Sequence, residues 1–203
     1  MVWVLKCDIR KFFDSIDHEI LINLLSKKLD SKTLFLLKNI INSFEAAPGK
    51  GIPIGNLTSQ LFSNIYLNEL DNFVKRRLRA KYYIRYADDF VILSRDKNIL
   101  IESVRQMVNF LTEQLKLKIH QDKLMIRKWI QGIDFLGYNI FPHHKILRTK
   151  TKRRILKKIS KKQREFLAGE ITKFSFSQSI QSYLGMLKHC RGRRAEKYLN
   201  TML

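Results

Sequence analysis

The chain is poor in cysteine, proline and glycine and lacks a long apolar run, and each absence excludes a class of protein. Two cysteines in 203 residues, Cys7 and Cys190, are too few for a disulfide framework and too distant in sequence for a zinc motif, so we expect reduced cytosolic thiols. Three prolines and eight glycines leave no low-complexity linker. No apolar run is long enough to span a bilayer, and the residues after Met1 predict a strand and not a signal peptide. The sequence therefore predicts one globular domain or two small ones, with no membrane partner.

Acidic residues are also scarce. The chain contains 18 Asp and Glu and 39 Lys and Arg, which gives a net charge of +21. The excess is uneven. Residues 1–74 contain eight of each sign, whereas residues 147–203 contain 16 basic and three acidic residues. A solvated surface is the ordinary explanation of a charge run, but so concentrated an excess favours a nucleic acid bound through its phosphates.

Two adjacent aspartates, Asp88 and Asp89, lie between segments rich in β-branched and aromatic residues. These flanks predict two strands, so the acidic pair falls where the hairpin turns. Adjacent carboxylates repel each other unless a cation neutralises them, and a divalent metal is the simplest such cation. An ordinary Asp-rich turn explains the pair equally well on these residues alone.

Asp8 ends the apolar segment 2–7, which predicts a buried strand. Three carboxylates at one edge of a sheet could hold two divalent ions, the usual device for in-line phosphoryl transfer. An aspartate at a strand end also serves simply to cap the turn into the next helix. Spacing alone does not bring Asp8 to Asp88, so both interpretations stay open at this point.

Apolar residues at helical spacing predict a series of helices. They cover residues 17–29, 31–44, 57–79 and 98–117, then an amphipathic basic helix within 148–164, a second helix through Ile180 and Leu187, and a short third one over 195–202. Together with the strands, this order predicts an α+β fold in which helices cover one face of an antiparallel sheet.

Five segments, in this order, resemble the palm domain of reverse transcriptases. They are the strand ending at Asp8 with Phe13 beyond it, the loop 51–60 (GIPIGNLTSQ), the YADD sequence at 86–89, the segment 115–123 (LKLKIHQDK) and the segment 133–138 (IDFLGY). Segment 182–189 is similar to thumb sequence of bacterial members. The resemblance implies a palm over 1–146, a small basic helical thumb over 147–203, and a cytoplasmic enzyme of bacterial, archaeal or phage origin.

The resemblance also implies chemistry for particular residues. Asp8 and Asp88 would bind two Mg²⁺ ions, for which Mn²⁺ can substitute, with Asp89 beside them and the Ile9 carbonyl as a further ligand. A primer 3′ hydroxyl would attack the α-phosphate of a dNTP opposite an RNA template. Lys123 would protonate the leaving pyrophosphate, although a surface lysine on a basic protein is the plain alternative.

Further contacts follow from the same resemblance. The backbone of Lys11 and Phe12 would hold the triphosphate, and the Phe13 ring would exclude a 2′ hydroxyl and so select dNTP over rNTP. The plain alternative is that Phe12 and Phe13 merely alternate between core and surface. The expected nucleotide-binding residues are Lys11, Phe12, Phe13, Ile54, Gly55 and Gln60. The expected primer grip is Phe135, Leu136, Gly137 and Tyr138, and the expected nucleic-acid contacts are Lys150, Lys152, Arg153, Arg154, Lys157 and Lys158.

The loop 54–60 is most similar to that of diversity-generating retroelement reverse transcriptases, which copy an RNA template while misreading its adenines. Ile54 would lie beside the incoming nucleotide, where an apolar side chain cannot make the hydrogen bonds of a glutamine. This subfamily implies an accessory protein partner. A group II intron-like or retron-like enzyme is the alternative within the family.

The family usually carries a fingers region before its first catalytic aspartate, and the seven residues before Asp8 are too few to supply it. We therefore expect a fragment of a larger polymerase, a late start, or fingers supplied separately. An inactive palm remnant that only binds RNA is the competing hypothesis from another class.

Overall fold

The computed structural model describes residues 1–192 together with residues 197, 199 and 201. It divides into two compact units, Met1–Lys128 and Trp129–Leu203. The short helix expected over 195–202 lies outside the described residues apart from those single positions. Within the part of the chain that is described, no helix has the length and hydropathy needed to cross a membrane.

The first unit contains a four-stranded antiparallel sheet in the order β2-β3-β1-β4. The strands are β1 (Trp3–Asp8), β2 (Tyr82–Tyr86), β3 (Asp89–Ser94) and β4 (Met125–Lys128). The strand and hairpin expected from the β-branched and aromatic flanks are thus confirmed, with β1 in the interior of the sheet.

Five helices belong to the same unit. They are α1 (Phe12–Ser15), α2 (His18–Ser26), α3 (Ser31–Asn42), α4 (Leu57–Asn72) and α5 (Lys97–Leu115). The single helix expected over 57–79 is α-helical only to Asn72 and continues as a π-helix over Phe73–Arg77. There the ring of Phe73 stacks on that of Phe110, with 4.3 Å between centroids.

One face of the sheet packs on these helices. Alternate residues of a strand point to opposite faces, so Leu5 and Cys7 of β1 are buried in a common core with Phe90 and Ile92 of β3. Tyr66 of α4 joins this core, fully buried. The intervening residues of β1, including Asp8, point to the other face. This is the predicted α+β arrangement.

In its described residues, the second unit contains a three-stranded antiparallel sheet followed by two long α-helices. The elements are β5 (Ile133–Phe135), β6 (Tyr138–Ile140), β7 (Lys145–Leu147), α6 (Thr149–Leu167) and α7 (Lys173–Lys188). Ile155 and Ile159 of α6 pack against Phe176 and Ile180 of α7, which leaves the many Lys and Arg residues of α6 outside this core. The expected amphipathic basic helix is confirmed.

The compact units divide after Lys128, so β5–β7 belong with the basic helices. We expected them in a palm covering residues 1–146. In the part of the chain that the structure describes, these strands of three residues pair with one another and not with the first sheet, which explains why the second unit includes them. A functional boundary between palm and thumb at residue 146 stays a prediction.

A buried aspartate connects the start of α2 to the end of α5. Asp17 caps α2 by accepting a hydrogen bond from the Ile20 N–H at 3.1 Å, and its other oxygen accepts from Lys116 Nζ at 2.7 Å. Burial alone would raise the pKa of Asp17, but these hydrogen bonds and the Lys116 charge outweigh it and lower the pKa.

Replacing Asp17 by Asn should therefore destabilise the protein by about 1 kcal/mol at neutral pH, because asparagine still caps the helix but loses the charge that pairs with the half-exposed Lys116. Because the folded-state pKa is depressed, the stabilisation is present above the unfolded pKa and is lost as pH falls through the folded value. Denaturant unfolding from pH 7 to pH 3 checks this. The Asn variant should lose less stability below about pH 4 than the wild type. The exposed Asp14→Asn change is the control, and equal pH dependence in all three proteins would contradict the assignment.

Candidate active site

The pairing of β1 with β3 brings Asp8 directly opposite Asp89. Opposed residues of an antiparallel pair share one face of the sheet, with Cβ atoms roughly 5 Å apart. The Ile9 N–H donates to the carbonyl of Asp88 at 3.3 Å, so the turn of the hairpin also lies at the end of β1. Asp8 therefore meets the sequence-distant neighbours Asp88 and Asp89 where the ends of β1 and β3 lie side by side.

The turn that carries Asp88 has an unusual backbone. Ala87 adopts a left-handed conformation with φ +50°, which is uncommon for a residue with a Cβ and costs on the order of 1–2 kcal/mol. Strain of this kind persists where the surroundings impose it, and it concentrates at functional sites. The Ala87 carbonyl accepts a hydrogen bond from Arg85 Nη1 at 3.0 Å, on the helix-facing side of the sheet.

Two lysines face the carboxylates. Lys123 Nζ lies 2.9 Å from both carboxylate oxygens of Asp8, and Lys6 Nζ lies 3.1 Å from Asp89. Ile119 forms an antiparallel β-bridge with Ile9, and this bridge brings Lys123, which follows in the chain, close to Asp8. The structure thus brings Lys123 to the aspartates.

The two lysines do not fully offset the effect of burial and of neighbouring negative charge on the pKa values of Asp88 and Asp89. Burial is the main cause that raises the pKa of Asp88, and the charge of Asp8 raises it further while Lys123 opposes the shift. Burial likewise raises the pKa of Asp89, assisted by Asp8 and Asp88 and opposed by Lys6. Burial and the neighbouring Asp89 and Asp8 raise the pKa of the Cys7 thiol to about 12, so this cysteine is neutral and unreactive. Such a cluster gains stability from a bound cation.

The donor set fits a hard divalent ion. Asp8 and Asp88 supply carboxylate oxygens, Ile9 follows Asp8 and adds a backbone carbonyl, and the buried Oδ1 of Asp89 has no hydrogen-bond partner among the described residues. The same part of the chain contains no cluster of three acidic, histidine or cysteine side chains already arranged around one point. A site here would combine side-chain and backbone oxygens.

The segments expected to contact nucleotide are connected through the backbone. Phe12 is buried and Phe13 half-buried, with their rings edge to face at 5.3 Å. The Phe13 carbonyl accepts from the Ile52 N–H at 2.9 Å, which fixes the loop 51–56 beside it. In this loop Ile54 is 78% exposed and Gly55 has φ +102°, while Gln60 is exposed on α4. The apolar side chain of Ile54 is thus free to meet a ligand.

Lys11 lies next to a concave basic surface. A cavity of about 460 Å³ is lined by Arg10, Lys11, Lys50, Lys116, Lys118 and Asp14, among others. Lys11 itself is left-handed, with φ +46°. Arg10, Lys11 and Lys50 are three of the eight basic residues in the segment 1–74, which has no net charge, and they converge here. Arg10 and Lys11 also lie close in sequence to Asp8.

The remaining expected contacts lie in the second unit. Phe135 and Tyr138 flank a two-residue turn in which Leu136 and Gly137 both have positive φ, as a type I′ hairpin requires. Lys150, Lys152, Arg153, Arg154, Lys157 and Lys158 all lie on α6. Lys150 and Arg154 line a cavity of about 300 Å³ together with Leu136 and Gly137.

Sequence reasoning missed Lys6, Asp71 and Arg85. Lys6 was recognisable only as a residue two before Asp8 and therefore on the same face of the strand. Arg85 precedes the YADD sequence, but nothing in its spacing connects it to Asp71 of α4, which it binds through two hydrogen bonds of 2.8 and 2.6 Å. That contact depends on how α4 is rotated against the sheet.

Relatives of this chain include proteins of group II introns. It is 28% identical to Protein YkfC of Escherichia coli (strain K12), over 68% of this chain and 46% of the relative. It is 24% identical to the Group II intron-encoded protein LtrA of Lactococcus lactis subsp. cremoris, over 68% of this chain and 35% of the relative. The chain thus spans less than half the length of these curated relatives.

Solved structures with a similar fold include yeast telomerases. The telomerase from Candida tropicalis without RNA aligns with 76% of this chain and 34% of its own, at TM-score 0.59 and 12% identity. That from Candida albicans, in complex with the TWJ fragment of telomeric RNA, aligns with 73% of this chain and 30% of its own, at TM-score 0.57 and 16% identity. At these identities the likeness concerns the fold.

The sequence model of the family described as reverse transcriptase (RNA-dependent DNA polymerase) matches residues 1–140, which include β1, the YADD hairpin and the 133–138 hairpin. Members of this family use divalent metals. The chain belongs to the reverse transcriptase family.

Proposed function

We propose that this chain carries the catalytic site of an RNA-directed DNA polymerase, which adds dNTPs to a primer 3′ hydroxyl on an RNA template. The observation that carries the proposal is the β1–β3 register, which unites Asp8 and Asp89 with the turn of Asp88. Negative charge on the reacting phosphate is neutralised by divalent ions in a two-metal nucleotidyl transfer, and a carboxylate set of this kind would hold such ions.

Asp8 and Asp88 would hold two Mg²⁺ or Mn²⁺ ions, with the Ile9 carbonyl as a further ligand and Asp89 beside them. Such ions, when bound, acidify the attacking hydroxyl and stabilise the leaving oxygen. The raised pKa values of Asp88 and Asp89 and the unpartnered oxygen of Asp89 support this role.

Lys123 is suited to donate a proton to pyrophosphate. Its ammonium group lies on Asp8, so a proton donor stands within the carboxylate cluster. A cation that takes the place of Lys123 on Asp8 would leave its Nζ available to an anionic leaving group. The basic cavity beside Lys11 would then receive the phosphates.

An RNA template and a DNA primer are the partners that fit the charge. The helix α6 presents six basic residues expected to contact phosphates, and these contacts would be independent of sequence and sensitive to salt. In the first unit, Tyr86 and Ile84 of β2 are about 60% exposed on the face of Asp89. Aromatic and apolar side chains of this kind can contact sugars and bases.

The subfamily rests on different observations. The loop 54–60 supports an error-prone enzyme of a diversity-generating retroelement, with an accessory protein partner. The similarity to LtrA supports a group II intron-like enzyme instead. A substitution at the exposed Ile54 can test the choice between them, because only the first assignment gives its apolar side chain a role in misreading adenine.

Asp88→Asn should reduce primer extension by about 10²–10³-fold or more, the range for removing one group that stabilises developing charge. Binding of an RNA–DNA duplex should be unchanged, since phosphate contacts are assigned to other residues. Mg²⁺-dependent extension and salt-titrated anisotropy measure the two effects.

Asp122→Asn is the matched control, because the Asp122 side chain is 92% exposed. Extension that persists in Asp88→Asn would contradict the proposal. A chain that binds the duplex and extends no primer would support an RNA-binding module.

Phe13→Ala should admit ribonucleotides, since removing the ring opens space for a 2′ hydroxyl. The preference for dNTP, as a ratio of kcat/KM values, should fall by at least about tenfold, or roughly 1.4 kcal/mol. Phe35→Ala is the control, because Phe35 is 68% exposed on α3. Wild-type selectivity in Phe13→Ala would refute the gate role.

Ile54→Gln should lower misincorporation opposite template adenine, because an amide can hydrogen-bond the incoming nucleotide. Sequencing of the extension products measures this. Ile99→Gln, at a 56% exposed position on α5, is the control. An unchanged error spectrum would remove the main support for the retroelement subfamily.

A further inference from the structure

A second set of polar contacts lies behind the catalytic hairpin, on the face of the sheet that packs on helices. Arg85 of β2 stands opposite Phe90, a core residue, and so points away from the face of Asp89. Its side chain is only 10% exposed. Arg85 therefore does not face the place where substrate would react.

The guanidinium of Arg85 connects three structural elements. Its Nε and Nη2 donate to the two oxygens of Asp71 on α4, at 2.8 and 2.6 Å. Its Nη1 donates to the Ala87 carbonyl at 3.0 Å and approaches Asn64 Oδ1 at 3.3 Å. One planar group thus bridges helix α4 to the turn of the hairpin.

Asp71 is held in place from a second side. Tyr83, two residues before Arg85 on β2, donates its hydroxyl to Asp71 Oδ1 at 2.6 Å. The carboxylate therefore accepts three short hydrogen bonds from one strand. Hydrogen bonds between charged groups in a partly buried site are stronger than neutral ones, and the paired geometry fixes direction as well as distance.

The Ala87 carbonyl belongs to the peptide that joins Ala87 to Asp88, so its orientation fixes where Asp88 begins. Ala87 is left-handed, a conformation that its own side chain disfavours. Without the hydrogen bond from Arg85, the turn could adopt other backbone conformations. We propose that Arg85, held by Asp71, is a positioning residue that maintains the strained turn and so fixes the Asp88 carboxylate. This inference rests on the proposed function of Asp88 as a metal ligand.

Two substitutions test the inference while preserving size. Arg85→Lys keeps the positive charge but lacks the planar guanidinium, whose several N–H groups reach Asp71 and the Ala87 carbonyl at the same time. Asp71→Asn removes the charge that holds Arg85, and it serves as the second variant if Arg85→Lys does not fold. Arg105→Lys, at a 77% exposed side chain on α5, is the control.

The first readout is the NMR order parameter of the Asp88 and Asp89 amides, which requires no metal. We expect values near 0.85 in the wild type and in Arg105→Lys, and below about 0.6 in the two variants. The second readout is Mn²⁺ affinity by electron paramagnetic resonance, which should weaken about tenfold in each variant. The double variant should be no weaker than either single one, because both act through one network.

The two readouts separate the inference from the proposed function. Unchanged order parameters in folded Arg85→Lys and Asp71→Asn would overturn the positioning role. Loss of order in the turn, with Mn²⁺ binding that Asp88→Asn does not weaken, would support the positioning role and count against Asp88 as a metal ligand. A loss of order that spreads equally through β1 and β4 would show a general structural role and overturn the inference.

Discussion

The antiparallel pairing of β1 with β3 is the constraint on which the site depends. It sets Asp8 opposite Asp89 and brings the carbonyl of Asp88 to the Ile9 N–H. A slip of one residue in this register would turn Asp8 toward the core and Cys7 toward the opposite face. The buried pairs Leu5–Ile92 and Cys7–Phe90 oppose such a slip, because it would expose apolar side chains. The hydrophobic core thus fixes the spacing of the carboxylates.

The cost of this arrangement is electrostatic and conformational. Burial raises the pKa of Asp88 and of Asp89, the negative charges of neighbouring aspartates raise both further, and Ala87 holds a disfavoured backbone conformation just before them. Lys123 and Lys6 relieve part of the charge from the substrate side, whereas Arg85 supports the turn from the helix side. Folded proteins accept local conflicts of this kind mainly at functional sites. In the proposed role of the cluster, a bound cation would relieve this conflict.

The sequence predicted the elements better than the contacts between them. Periodicity predicted the helices and the β-branched and aromatic flanks predicted the hairpin, whereas the family resemblance singled out Asp8, Asp88 and Lys123 as candidate site residues. Spacing alone could not bring Asp8 to Asp88, since the contact depends on strand order within the sheet. Asp71 and Arg85 escaped notice because their contact requires the rotation of α4 against β2. The compact units divide after Lys128, a position that no feature of the sequence marks, and the functional boundary at residue 146 stays a prediction. Neither helix propensity nor hydrophobic periodicity distinguishes the π-helix over Phe73–Arg77 from a continuation of the α-helix.

The central claim is that Asp8 and Asp88 form a divalent-metal site. Anomalous diffraction from crystals of this chain equilibrated with Mn²⁺ is the most direct test, because the anomalous signal locates the ion without an activity assay. If Asp8 and Asp88 hold the ion, we expect an anomalous peak in contact with their carboxylates and the Ile9 carbonyl, with Lys123 Nζ displaced from Asp8. Full occupancy of Mn²⁺ elsewhere, with Lys123 still paired to Asp8, would contradict it.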